Sequence, residues 1–194
     1  MKIKIRPNIL ICLLILIVVA AGLFTYFRYS QQHGSIPPPL VPPPTTAAEE
    51  ANYTLQIPEI DVTAPIILDV NGADKETYNK ALEGGVAQLS GTALPGRFGN
   101  TFIFGHSSFY TGADGDYKEV FKDLNDLEAG DQVSVESKTK TYTYRVSDKQ
   151  IVSPNRVDLA EQNLLKRQLT LMTCWPIGSN TERLVVIADL ISQK

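Results

Sequence analysis

Residues 169–191 read LTLMTCWPIGSNTERLVVIADLI, and they decide the fold class. Leu169–Thr173 and Leu184–Ile191 are apolar runs too short and too β-branched for helices. Between them Pro176 and Gly178 supply turn chemistry, so two strands joined by a loop are predicted. The same pattern repeats outward. Gln132–Glu136 and Tyr142–Val152 flank Ser137–Thr141 as a hairpin. Thr101–Gly105 is a strand that follows the turn residues Pro95-Gly96 and Gly99-Asn100. Nearer the N-terminus, Tyr53–Ile57 alternates and stops at Pro58. Val62–Val70 is rich in Val and Ile, with Pro65 at a bend or edge. Asp74–Glu83 is the best helix, capped by Asp74 and stopped by Gly84-Gly85. A helical turn is expected within Tyr117–Leu127 and a short helix within Val157–Leu165. Many short strands separated by turns predict a mainly β domain, a closed or nearly closed barrel with one or two helices attached.

This domain occupies residues 51–194, and the chain before it is of two other kinds. Residues 1–8 carry Lys2, Lys4 and Arg6. Residues 9–27, ILICLLILIVVAAGLFTYF, contain no charge and would extend about 28 Å as a helix at ~1.5 Å per residue, enough for a bilayer core of about 30 Å. A cleaved signal peptide would have a shorter apolar run and a small-residue site after it; here Ala20-Ala21-Gly22 lies inside the run. An uncleaved transmembrane signal-anchor is therefore expected. The basic start keeps residues 1–8 in the cytoplasm and puts everything after Tyr29 outside. Cys12, within the run, reads as a packing residue. Residues 28–50 form a linker that holds six of the twelve prolines. Such a stretch favours extended polyproline II and acts as a semi-rigid spacer. His33 lies there, in solvent.

Composition narrows the function. The chain has 194 residues, 43% hydrophobic and 20% charged, with formal net charge −3. Four of its 18 basic residues and two of its 21 acidic ones precede the domain, leaving 14 against 19 and a formal −5 for residues 51–194. A nucleic-acid partner is not expected, and the balance argues against tight docking to anionic lipid. Two cysteines exclude a disulfide scaffold and a multi-cysteine zinc site. Two histidines leave acid–base chemistry in the domain a single imidazole, His106.

Cys174 stands where a predicted strand breaks into a loop. A lone thiol in an oxidising compartment is either buried or used. Arg183 opens the next strand. If the two strands are antiparallel neighbours, the loop Trp175–Glu182 brings Cys174 and Arg183 to one rim. A guanidinium beside a thiol favours the thiolate and can hold an anionic intermediate. His106 follows Phe102-Ile103-Phe104-Gly105, with Phe102 and Phe104 as its alternation partners. A cysteine nucleophile needs an acid–base group to serve the leaving amine. Spacing alone does not show that His106 and Cys174 meet, because 67 residues separate them. A buried structural cysteine, a core histidine and a surface arginine remain the plain alternatives.

Thr170-Leu171-Met172-Thr173-Cys174 resembles the TLxTC signature of the sortases. Arg183 on the following apolar strand resembles the sortase arginine, and Gly105-His106-Ser107 the histidine segment. Leu55–Ile60 with Ala64-Pro65-Ile66 is similar to the family's first strands. The likeness runs from 55 to 191. It implies a closed eight-stranded β-barrel and a membrane-anchored cysteine transpeptidase with no cofactor. Such an enzyme cleaves a sorting motif, often LPxTG-like, near the C-terminus of secreted proteins, forms a thioacyl enzyme, and transfers the acyl group to an amine on a cell-wall precursor or a protein lysine. Carried over, Cys174 is the nucleophile, His106 the acid–base residue, Arg183 the oxyanion stabiliser, and Thr173 part of the substrate groove. Some sortases depend on calcium. Asp114, Asp116 and Glu119 read as solvated loop residues, and no metal is assigned. The sequence ends at Lys194, just after the last predicted strand, and its linker carries no lid motif. Protein anchoring is therefore expected over pilin polymerisation. An L,D-transpeptidase-like wall enzyme commonly has histidine two residues before its cysteine, where this chain has Met172. An anchored binding module with a dead site is disfavoured by the joint presence of Cys174, His106 and Arg183.

Overall fold

The computed structural model describes residues 52–108 and 115–194. The expected segments 1–8, 9–27 and 28–50, with Cys12 and His33, lie outside the described residues, as does Asp114. Among the described residues no helix is long and apolar enough to cross a membrane.

Eight strands follow in chain order: β1 (Tyr53–Ile57), β2 (Val62–Val70), β3 (Val86–Leu89), β4 (Gly99–Phe104), β5 (Gln132–Glu136), β6 (Thr141–Val152), β7 (Arg167–Trp175) and β8 (Glu182–Gln193). They close into a barrel in the order β1-β2-β3-β4-β7-β8-β6-β5, with β1 pairing β5 across the seam. Two neighbour pairs are parallel, β2 with β3 and β4 with β7; the others are antiparallel. Closure leaves no open sheet edge.

β1 and β2 match their predicted limits. The helix α1 (Lys75–Glu83) forms as expected, because the Asp74 carboxylate accepts from the N–H groups of Glu76 and Thr77. Pro65 precedes the first β2–β3 pair, Ile66 with Val86, so its missing donor interrupts no ladder to β3. Two differences stand out. The sequence reading assigns nothing to Val86–Leu89, because four residues give no legible period; here β3 is held by β2 on one side and β4 on the other. The helix expected within 157–165 is only a 3-10 turn, Val157–Ala160, whose segment is pinned to β4 by side chains instead. Gln162 Oε1 accepts from the N–H groups of Ala93 and Asn100, and Asn100 Nδ2 donates to the Leu159 carbonyl.

The barrel is filled by alternate residues from every strand, among them Leu55, Ile57, Val86, Ile103, Val135, Leu169, Leu171 and Val186, all fully buried. Tyr144 is fully buried too, and its hydroxyl accepts from the Gly96 N–H at 2.8 Å. Burial pushes its phenol up to about 12. Gly96 has φ +76°, and a Cβ there would lie 2.0 Å from the Tyr142 ring, so only glycine fits that turn.

Candidate active site

The candidate residues sit where three neighbouring strands end or begin together. On β7, Leu169, Leu171 and Thr173 alternate inward, and Met172 and Cys174 lie on the outer face. On β8, Leu184, Val186 and Ala188 fill the core, so Arg183 takes the outer face. β7 and β8 are antiparallel, and Cys174 pairs directly with Arg183. The expectation that these two share a rim therefore holds. The connecting loop, 176–181, is shorter than expected, because Trp175 and Glu182 are themselves a strand pair.

The 67-residue gap to His106 is closed by the parallel pairing of β4 with β7. Phe104 pairs with Met172, and the Gly105 N–H donates to the Met172 carbonyl at 3.1 Å. Two positions further, His106 comes level with Cys174. Same-register residues of parallel neighbours share a face. Carried past that last pair, the register aligns His106, just beyond β4, with Cys174 on β7 and Arg183 on β8 at one end of the barrel.

Two hydroxyls prolong the β4–β7 ladder past its last strand pair. Thr173 Oγ1 donates to the Gly105 carbonyl at 2.8 Å, and Ser107 Oγ donates to the Cys174 carbonyl at 2.9 Å. The two bonds run in opposite directions and flank His106. Thr173 is 2% exposed. This corrects the expectation that Thr173 lines a substrate groove: the strand alternation that turns Cys174 outward turns Thr173 inward. Ser107 was not singled out by the sequence reading, since a serine after a strand is an ordinary loop residue. Its only signal is its place next to the domain's one histidine.

The far side of the His106 segment is packed as closely. The His106 carbonyl accepts from the Phe121 N–H at 2.9 Å. A Cβ on Gly105 would lie 2.8 Å from the Phe121 ring, so glycine is what lets this segment approach. Burial lowers the imidazole pKa of His106 below the ordinary 6.5, since the charged form is the one that loses solvation. Cys174 is a half-buried free thiol. Arg183 Nη1 donates to the carbonyls of Asn180 and Glu182, which ties the guanidinium to the β7–β8 loop.

Asp116 and Glu119 line an open hollow together with Asp61 and Asp123. Among the described residues no group of three or more His, Cys, Asp or Glu side chains is placed to hold a metal ion.

The arrangement offers a nucleophilic sulfur, an imidazole able to move a proton, and a guanidinium for developing negative charge. A Sortase domain model matches residues 55–191. Sortase A of Streptococcus agalactiae is 29% identical over 136 residues, which are 70% of this chain and 51% of that protein; the chain spans about half the length of this curated relative. Among solved structures, a Clostridium perfringens sortase D5 transpeptidase aligns with TM-score 0.60 and 27% identity, covering 73% of this chain and 79% of the other. The pilus-related sortase C of Group B Streptococcus aligns with TM-score 0.61 and 30% identity, covering 74% and 68%.

Proposed function

The chain belongs to the sortase family, and from that premise we propose that it is a cysteine transpeptidase acting on secreted proteins that bear an LPxTG-like sorting motif. The observation that most supports the reading is the strand pairing: Cys174 opposite Arg183 on antiparallel strands, beside β4, which pairs in parallel with β7 as far as Phe104 and Met172 and leads into His106.

Cys174 Sγ, as thiolate, attacks the carbonyl carbon of the motif threonine. The C=O electron pair moves to oxygen, and Arg183 donates to that oxyanion. Collapse breaks the C–N bond. The departing amine takes a proton from the His106 imidazolium, leaving a thioester on Cys174. An incoming amine attacks the thioester and gives its proton to neutral His106, and the C–S bond breaks to return the thiolate. Thr173 and Ser107 touch no reacting atom; they hold the two strand ends that carry His106 and Cys174.

The amine belongs to a cell-wall precursor, and the outcome is attachment of proteins to the cell surface. Residues 9–27 anchor the enzyme in the cell membrane with residues 1–8 in the cytoplasm, residues 28–50 form a spacer, and residues 51–194 work outside. Transfer to a protein lysine is the second reading, favoured by the likeness to a pilus-related sortase C.

The test is a quenched sorting-motif peptide with and without added amine. Wild-type protein should cleave it, and intact mass spectrometry should find the acyl group on Cys174 when amine is withheld. Cys174→Ala should do neither. Turnover by that variant, or an adduct on another residue, refutes the assignment. Wall-type and lysine-type amines in competition separate the two acceptors. External protease on wall-stripped cells should digest the domain; protection until the membrane is opened overturns the topology.

A further inference from the structure

The first residues of the domain enter β1 at the barrel end where β4 and β7 begin and β8 finishes, opposite the row of His106, Cys174 and Arg183. That entry end has a surface the proposed reaction does not use. Phe98 is 55% exposed, Leu164 69% and Leu165 89%. Their backbone segments are adjacent, since Phe98 precedes Gly99, Leu165 precedes Lys166, and the Gly99 N–H donates to the Lys166 carbonyl at 2.8 Å. The Arg167 guanidinium lies 4.3 Å over the Phe98 ring, and its Nε is buried with no protein partner. Lys166 and Arg167 also line an open hollow of about 510 Å³ with Ser192 and Gln193.

The formal −5 of the domain argues against a lipid partner, but the charge is unevenly placed. Asp61, Asp116, Glu119 and Asp123, against the single lysine Lys122, line the hollow between the β1–β2 turn and residues 116–123. In the entry-end hollow Lys166 and Arg167 outnumber Asp189.

We propose that this end of the barrel docks on the surface of an anionic lipid bilayer. Phe98, Leu164 and Leu165 sit at the boundary of headgroups and acyl chains, and Lys166 and Arg167 face lipid phosphates. Leu164-Leu165-Lys166-Arg167 places two apolar and two cationic side chains in consecutive positions, a mixture that suits the bilayer interface. The charge is complementary to an anionic leaflet, and one cationic side chain there is worth about fivefold in partitioning. So small a patch holds only a domain already kept near the membrane, where effective concentration makes weak contacts count. For that tether alone the inference rests on residues 9–27 being an anchor. Docked, the domain presents its His106–Cys174–Arg183 row away from the bilayer.

The test uses the full chain carrying Leu165→Trp, in vesicles of phosphatidylcholine alone or with one third phosphatidylglycerol, each with a shallow doxyl-labelled lipid. Wild-type protein, whose single tryptophan is Trp175 at the opposite end of the barrel, is the reference. The added tryptophan should be quenched in anionic vesicles. Quenching should fall at least about fivefold in zwitterionic vesicles and on adding Lys166→Glu. No quenching, or equal quenching in both lipids, overturns the proposal. A tryptophan shielded from iodide yet untouched by doxyl lipid puts residues 28–50 or a second copy on this face and also overturns it. Flotation of the same vesicles reads the anchor separately. A chain that floats with both lipids but stays unquenched sinks docking alone. A chain that floats with neither lipid removes the anchor, and with it the tether on which docking depends.

Discussion

Replacing Arg183 by lysine keeps the charge and removes the geometry. The Cys174–Arg183 pairing is a backbone pairing, so β7 and β8 should form unchanged in Arg183→Lys. The guanidinium has five N–H donors. Its Nη1 points at the carbonyls of Asn180 and Glu182, at 3.0 and 2.8 Å. Nε and Nη2 then have three N–H groups left for substrate, in a rigid plane. A lysine ammonium has three N–H groups on one atom. Holding the same two carbonyls leaves it one, with no fork to present to an oxyanion. Losing one such donor typically costs roughly 10²–10³ in kcat, about 2.7–4 kcal/mol of transition-state stabilisation. The expected result is therefore a fall of that size in kcat with little change in melting temperature. Steady-state cleavage of a quenched sorting-motif peptide, on protein matched by thermal melt, measures it. An arginine that only decorates the surface would be worth about 0–1 kcal/mol in an ion pair, and the variant would then be nearly fully active. Near-wild-type kcat and kcat/KM in Arg183→Lys would refute directional hydrogen bonding at this position. The same retention in Arg183→Ala would remove the residue from the site.

Thr173→Val deletes the bond to the Gly105 carbonyl inside a dry strand junction; it should cost about 1–3 kcal/mol of stability and lower kcat by about tenfold or more through displacement of His106. Thr173→Ser should restore both, and a folded valine variant with full kcat contradicts the positioning role. Tyr144→Phe leaves the Gly96 N–H without its buried acceptor and should lose roughly 1–3 kcal/mol in denaturant unfolding with activity per folded molecule unchanged. A loss below about 0.5 kcal/mol would mean that water replaces the phenol.

Much of this site was legible because it lies at strand ends, and strand ends leave marks in sequence. Pro176 and Gly178 date the end of β7 to within a residue or two, and the apolar run from Leu184 gives the start of β8. A short loop between two such runs implies antiparallel neighbours, which is enough to place Arg183 opposite Cys174. His106 was different. Its alignment with Cys174 depends on β4 lying beside β7 with β5 and β6 sent elsewhere, and parallel neighbours are joined through long crossovers that local pattern does not reveal. The likeness to a known family supplied that adjacency; the spacing did not. β3 was illegible for a related reason. Its four residues carry no period of their own, and they are a strand because β2 and β4 present ladders to them. Thr173 was misread because a residue beside a nucleophile invites a substrate role, whereas the two-residue strand period dictates opposite faces.

The burial that lowers the His106 pKa bears unequally on the two halves of the proposed reaction. Acylation needs thiolate and imidazolium together. Resolution needs neutral imidazole and an unprotonated amine. With its pKa below 6.5, His106 is mainly neutral from about pH 6.5 upward, so there the amine alone sets the trend. A lysine-type amine titrates near about 10.4, and its free-base fraction grows almost tenfold per pH unit across this range. A thioester already formed on Cys174 should therefore be consumed faster as pH rises. With acylated Cys174 first accumulated without amine, the fraction left a fixed time after amine is added should fall steadily from pH 6.5 to 8.5. Rapid acid quench and intact mass spectrometry read that fraction directly. An acyl-enzyme that His106→Ala resolves as fast as the wild-type protein would mean that amine attack does not depend on a neutral His106, and the proton path assigned to that residue would have to be abandoned.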